Sequence, residues 1–481
     1  MLAVSTKHFS KILARARLFV WSWVMLAAGG CLCHCQRATA EVQAHALFTD
    51  HAVLQRDLPL SIWGTADDGE KVTVHLGDQT AETTAQNGKW SVKLQPLPAG
   101  GPHELRISGP KNELKFSDIL IGDVWICGGQ SNMQWSINQC ETPDKVKASA
   151  NLPQLRFVQI PRTGNPQPQS TVKAKWQVST PDSVGDLTAV GFHFGKKLHE
   201  ELHVPIGLIN SNIGGTAAQR WTSKETLAAN PALARYAQEN NSSDLYNAMI
   251  HPLAPFGIKG AIWYQGESNA DNAYHYRDLF PAMIKNWRDL WGQGEFPFLF
   301  VQLAPFMQKN SEPIESNWAE LREAQLMTLS KLPHTGMAVI TDLGDEKDIH
   351  PVPKGPVGER LAQIARNVAY GEKSEPSGPL FDSLTIEGNK AILKFKHVGQ
   401  GLEARGGELS GFTIAGEDKK FHNATAKVEG DTVVVTADAV TKPVAVRYGW
   451  ANYPQVNLWN KDGLPASPFR TDDFPGLTQP K

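Results

Sequence analysis

Four short stretches of this chain carry residue types that, brought together, can transfer an acyl group. Gly128-Gly129-Gln130-Ser131-Asn132 offers a hydroxyl. Asn212-Ile213-Gly214-Gly215-Thr216 offers backbone N–H groups in a turn whose glycines let a ligand approach closely. Gln265-Gly266-Glu267-Ser268-Asn269 offers a side-chain amide, and Asp342 to Pro351, including Asp345, Asp348 and His350, offers acids beside a histidine. Acyl transfer needs a nucleophile, donors for the oxyanion and a base held in one tautomer by a carboxylate. Every part has a candidate. Taken singly, each stretch also reads as an ordinary turn or helix cap, Ser131 and Asn132 included, so it is the joint occurrence that points to catalysis.

Each stretch follows an apolar run of strand length. Residues 119–127, interrupted by Gly122 and Asp123, read as a buried strand closed by two glycines, and residues 206–209, 259–264 and 337–340 read the same way. A further strand is predicted at 298–303. Helical patterns cover 190–202, 276–291, 318–332 and 358–370, a helix is predicted from Ser131, and a proline-rich connector runs from 161 to 168. Strands alternating with helices of this length predict an α/β fold with a mostly parallel sheet. In such a sheet the site collects at the carboxyl ends of the strands.

The flanks have another rhythm. Residues 60–64, 71–76, 89–94 and 104–108 alternate polar with apolar between turn-forming stretches, which predicts a small antiparallel sandwich. Short strands return beyond Gly371. The predicted organisation is a leader over 1–40, an N-terminal β-sandwich-like domain over 41–117, a catalytic domain over 118–371 and a C-terminal β-rich domain over 372–481.

Composition excludes several classes of function. Lys plus Arg is 47 against 49 Asp plus Glu, so no charge excess argues for nucleic acid or an anionic membrane. Lys7, Lys11, Arg15 and Arg17 precede an apolar run at 18–28, and Ala38-Thr39-Ala40 offers a small-x-small cleavage site, the pattern of a secretory signal. The apolar run is short for a transmembrane helix. Ala28-Gly29-Gly30 before Cys31 leaves a lipid anchor at Cys31 as an alternative to a free secreted or periplasmic protein. Cleavage at Ala40 retains only Cys127 and Cys140; free thiols are favoured over a bridge, because Cys127 falls in the buried strand.

The four motifs, in order, resemble those of the sialate O-acetylesterase family among the SGNH-type (GDSL-like) carbohydrate esterases. The likeness runs from about Leu47 to Phe474 and includes Arg447-Tyr448-Gly449-Trp450 and Gly463-Leu464-Pro465-Ala466-Ser467-Pro468-Phe469-Arg470-Thr471. It implies an SGNH-hydrolase-like three-layer domain and metal-independent, cofactor-free removal of O-acetyl groups from sugars. By the resemblance Ser131 is the nucleophile and His350 the general base and then acid, with Asp348 the orienting acid and Asp345 its alternative. The oxyanion is received by the N–H of Ser131, the N–H of Gly215 (or Gly214) and the side chain of Gln265, which stands where the wider SGNH pattern has asparagine. Arg220 and Trp221 are candidates for substrate contact. The substrate reading divides between O-acetylated sialic acid and acetylated plant hemicellulose, either xylan or xyloglucan.

Other readings are weaker. Met133 occupies the place where an α/β-hydrolase elbow needs glycine. His199-Glu200-Glu201-Leu202-His203 matches a zinc-protease pattern, but Pro205 ends the helix and no third ligand follows. A non-catalytic glycan-binding protein is the rival from another class, motivated by 14 tryptophans and β-rich flanks.

Overall fold

The computed structural model describes residues 41–480; the expected export signal, its cleavage site and Cys31 lie outside the described residues. The alternating segments fold as β1 (Gln43–Ala44), β2 (Val53–Gln55), β3 (Leu60–Thr65), β4 (Lys71–Leu76), β5 (Gln79–Thr84), β6 (Lys89–Leu94) and β7 (Gly100–Ser108). Next comes β8 (Glu113–Gly129), longer than the apolar run and bipartite. Its first half alternates in exposure and pairs antiparallel with β7, and its second half is buried throughout and pairs with parallel neighbours. The predicted boundary between 117 and 118 therefore falls within one strand. Buried hydrophobics from Val42 to Ala365 form one continuous core across it.

The central sheet runs β10 (Trp176–Ser179), β9 (Leu152–Gln159), β11 (Ile206–Asn212), β8, β12 (Gly260–Tyr264), β13 (Phe298–Val301) and β14 (Thr335–Ala338). From β9 to β14 every neighbouring pair is parallel, while β10 is antiparallel to β9. The chain also forms helices α1 (Ser131–Gln134), α2 (Pro143–Ala148), α3 (Ala189–Leu202), α4 (Lys224–Ala229), α5 (Ala273–Trp291), α6 (Asn317–Lys331) and α7 (Gly355–Val368). The predicted helix from Ser131 is a single turn.

Successive side chains of a strand point to opposite faces, and two adjacent residues of β8 show which helix covers which. The Cys127 sulfur lies 2.9 Å from where a Cβ on Gly191 of α3 would stand, whereas a Cβ on Gly128 would meet Trp287 of α5 at 3.2 Å. Helices α3 and α5 thus cover opposite faces, giving three layers. α7 joins α3, with Gly358 so close that a Cβ there would stand 2.5 Å from the Val190 carbonyl oxygen. Cys127 and Cys140 are both free and buried, and burial pushes the Cys127 thiol well above its ordinary range.

The charge that interrupts the apolar run is fully paired. Asp123 accepts from Arg56 Nε at 2.9 Å and Arg56 Nη2 at 3.0 Å, from Gln55 Nε2 at 3.0 Å and from the Tyr370 hydroxyl at 3.0 Å. A buried carboxylate is tolerated on those terms. Beyond α7 the strands form antiparallel sheets around a second hydrophobic cluster that includes Leu393, Ile414, Val433 and Tyr448. Arg322 of α6 binds this region to the core, donating to the Leu303 carbonyl at 2.7 Å and, across the junction, to those of Ala451 at 2.8 Å and Asn452 at 3.0 Å. Among the described residues no helix is long and apolar enough to cross a membrane.

Candidate active site

Strand register brings three of the four motifs level. Gly129, the last residue of β8, pairs with Asn212 at the end of β11 on one side and Tyr264 at the end of β12 on the other. The turns that follow therefore leave the sheet side by side. Gly129 is obligatory here: its φ is +135°, and a Cβ would stand 2.2 Å from the Tyr264 carbonyl oxygen. Gln130 is extended and Ser131 opens α1. The first N–H groups of a helix have no intrahelical acceptor, which leaves that of Ser131 available to an anion.

The glycine turn lies against the serine. A Cβ on Gly214 would be 3.2 Å from Ser131 Cβ. Its own N–H is spent on Gln134 Oε1 at 2.6 Å. Gly215 has φ +68° and faces open space. Of the two alternatives, Gly215 is thus the one whose N–H is not already engaged by Gln134.

The fourth motif supplies the histidine. His350 stacks on Trp135, the residue that ends α1, with centroids 4.7 Å apart and planes at 17°. Its Nδ1 lies 3.3 Å from Asp348 Oδ1, and the same oxygen accepts the His350 backbone N–H at 2.8 Å. Asp345 is committed elsewhere: it accepts the N–H groups of Lys347 at 2.7 Å and Asp348 at 3.0 Å, shaping the turn and lowering its own proton affinity. Asp348 is the acid beside the imidazole. Partial burial holds the His350 proton affinity below its ordinary range, Asp348 pulls it up and Lys354 pushes it down, which favours a neutral imidazole.

Three expected site residues are placed differently. Gln265 is wholly buried. Its Nε2 donates to the Thr216 carbonyl at 3.1 Å and to Asn269 Oδ1 at 2.7 Å, and its Oε1 accepts the Tyr276 hydroxyl at 2.9 Å. Both amide hydrogens are used in bracing the glycine turn, so the side chain is not an oxyanion donor in this arrangement. Arg220 makes a two-pronged pair with Asp244, at 2.9 Å and 2.6 Å. Trp221 is fully buried, its indole N–H on Thr216 Oγ1 at 3.0 Å and its ring edge-on to Trp263. Trp221 is thus withdrawn from any substrate, and Arg220 commits one edge of its guanidinium to Asp244. Of the protease-like histidines, His199 has its Nδ1 2.8 Å from the Val204 carbonyl oxygen, and His203 ends α3 in a left-handed conformation, exposed. Among the described residues no group of three or more His, Cys, Asp or Glu side chains is arranged to hold a metal ion.

Several residues at the site carry no decisive sequence signal. Trp135 covers one face of His350 and was signalled only by its nearness to Ser131. Behind it lie Asn132 and Lys354, both buried, and Glu267, half-buried with its carboxylate oxygen Oε2 enclosed. Asn132 and Glu267 stood inside recognised motifs without a role, and Lys354 had no sequence signal at all. Burial raises the Glu267 proton affinity and lowers that of Lys354 to about 7.

A family model for carbohydrate esterases of the sialic acid-specific acetylesterase type matches residues 121–366. Sialate O-acetylesterases from Pongo abelii and Homo sapiens are each 31% identical over 470 residues, covering 86% of this chain and 90% of theirs. The crystal structure of a novel carbohydrate acetylesterase from Xanthomonas citri superposes with a TM-score of 0.85 at 45% identity, over 90% of this chain and 100% of that one. The non-catalytic reading falls with these matches. The chain is a carboxylic ester hydrolase and belongs to the sialic acid-specific acetylesterase family of carbohydrate esterases.

Proposed function

We propose that this protein removes acetyl groups from O-acetylated sugars through an acyl-enzyme formed on Ser131. Neutral His350 takes the Ser131 proton as the hydroxyl attacks the acetyl carbonyl, then gives it to the departing sugar oxygen. Water, activated by the same imidazole, releases acetate. Asp348 orients His350 and offsets the imidazolium charge. The N–H groups of Ser131 and Gly215 receive the oxyanion. The observation that carries this reading is the convergence of a helix-opening serine, an unengaged glycine N–H and an Asp–His pair at the carboxyl end of one parallel sheet.

The test is Ser131→Ala, assayed by acetate release from an aryl acetate and from acetylated sugars. A loss of at least about 10³-fold is expected, and undiminished turnover would sink the mechanism. Substrate choice within the class has two arms. Family membership favours O-acetylated sialic acid, whereas the pairing of Arg220 with Asp244 weakens that candidate partner for a sialate carboxylate and favours a neutral hemicellulose. Acetate release from acetylated sialoside against acetylated xylan and xyloglucan decides between them.

On the same reading residues 118–371 are the SGNH-type catalytic unit, with β-rich units over 41–117 and 372–481 around its mostly parallel sheet. The basic, apolar and small-x-small sequence of residues 1–40 supports export to the periplasm or medium, which N-terminal sequencing of the mature protein tests, a lipidated Cys31 being the contrary result.

A further inference from the structure

The buried Lys354–Asn132–Glu267 cluster serves no step of the mechanism above, yet it joins the two catalytic segments. Lys354 Nζ donates to Asn132 Oδ1 at 2.5 Å. The Asn132 amide then donates to Glu267 Oε1 at 2.6 Å and to the Ile349 carbonyl oxygen at 2.9 Å. Every hydrogen-bonding position facing the cluster on that asparagine is thereby used. The ammonium also stands 5.6 Å from the ring centroids of Trp135 and Tyr264, a position aromatic faces favour for a cation.

The connectivity is more informative than the contacts. Asn132 is the residue after Ser131. It is tied to Ile349, the residue before His350, and to Lys354, four residues after it. One side chain next to the nucleophile therefore holds the base-bearing loop on both sides of the base, across more than 200 residues of sequence. Two charges are buried to achieve this, an arrangement that apolar packing replaces at no loss where only stability is at stake. Fixing the relative position of two segments is the return that such a cluster offers, because acyl transfer depends steeply on the alignment of nucleophile and base.

We propose that Lys354 is a positioning residue for the esterase reaction, clamping the His350 loop to the Ser131 turn through Asn132, with Glu267 as its buried counter-charge. The proposal rests on Ser131 and His350 being the reacting pair. It assigns Lys354 no contact with the substrate.

The experiment compares the wild-type chain with Lys354→Met and with Lys354→Met/Glu267→Gln, the double variant removing both charges so that no carboxylate is left buried alone. Thermal melting identifies folded protein. For the folded variant the clamp predicts a fall in kcat on an aryl acetate of about tenfold or more, with KM changed by less than about threefold. Labelling of Ser131 by a fluorophosphonate, which reports serine–histidine alignment without any sugar, slows by the same factor. The acid limb of kcat/KM moves to higher pH, since the nearby positive charge no longer discourages protonation of His350. A merely structural lysine changes melting and can move that limb through its charge, but leaves kcat and the labelling rate in place. A folded double variant with wild-type kcat and labelling rate overturns the clamp. If Ser131→Ala stays active, the reading of the reacting pair fails instead, and the clamp with it; if Ser131→Ala is inactive and the double variant is normal, only the clamp is lost.

Discussion

Replacing Asp348 by Asn isolates the charge that the structure places beside His350. Asparagine keeps an oxygen to accept the His350 backbone N–H, now 2.8 Å from Asp348 Oδ1, so the turn is preserved and only the carboxylate's field is lost. The Nδ1–Oδ1 separation is 3.3 Å, with the Asp348 side chain 54% exposed and that of His350 25% exposed. At this distance a unit pair is worth roughly 1.3 kcal/mol in water and about 5 kcal/mol at an effective dielectric of 20. The exposed acid puts the pair near the aqueous end, so about 1 to 1.5 kcal/mol is expected, or roughly one pH unit. The sign follows from the base being active when neutral. Without the carboxylate His350 holds its proton less tightly, and the acid limb of kcat/KM moves about one unit to lower pH. The imidazolium of the transition state loses the same support, and some tautomer control goes with it, so kcat falls about 10- to 100-fold, well short of the roughly 10⁴-fold typical of a buried triad acid. Steady-state kinetics on an aryl acetate from pH 4 to 9 measures both quantities. An unmoved limb with unchanged kcat would show that Asp348 is not the partner of His350, and a limb moved to higher pH would refute the electrostatic reasoning.

Gly129→Ala is expected to cost about 3 kcal/mol or more, because its Cβ would stand 2.2 Å from the Tyr264 oxygen at a φ of +135°; a urea titration that finds less than about 1 kcal/mol contradicts the close approach. Gln265→Leu separates bracing from catalysis. If the amide is spent as described, the variant loses about 1 to 3 kcal/mol for each partner it strands at Thr216, Asn269 and Tyr276. A direct oxyanion role would instead lower kcat about 10² to 10³-fold with little change in the unfolding midpoint.

Secondary structure near the site was legible because it is local. The helix predicted at 190–202 forms as Ala189–Leu202, and that at 318–332 as Asn317–Lys331. Periodicity marked apolar runs but not their continuation. Residues 113–118 alternate and so do not read as part of the apolar strand that they begin. Leu152–Gln159, the parallel partner of β11, carries Pro153 and polar positions that hide a strand which only its neighbours bury.

Sequence by itself determined the candidate reacting groups, since a serine after two glycines, a double-glycine turn and an Asp-x-His pair are chemical types written in the chain. Tertiary structure decided which of them are free to act. Whether an amide or guanidinium is available depends on what lies across the fold, and there Gln265 meets Tyr276, Thr216 and Asn269 while Arg220 meets Asp244. The choice of Asp348 over Asp345 depends on which N–H groups a turn points at each carboxylate. The union of Asn132, Glu267 and Lys354 was beyond the sequence altogether, because burial is a property of the packed molecule, and packing alone brings residues so far apart in the chain to one desolvated point.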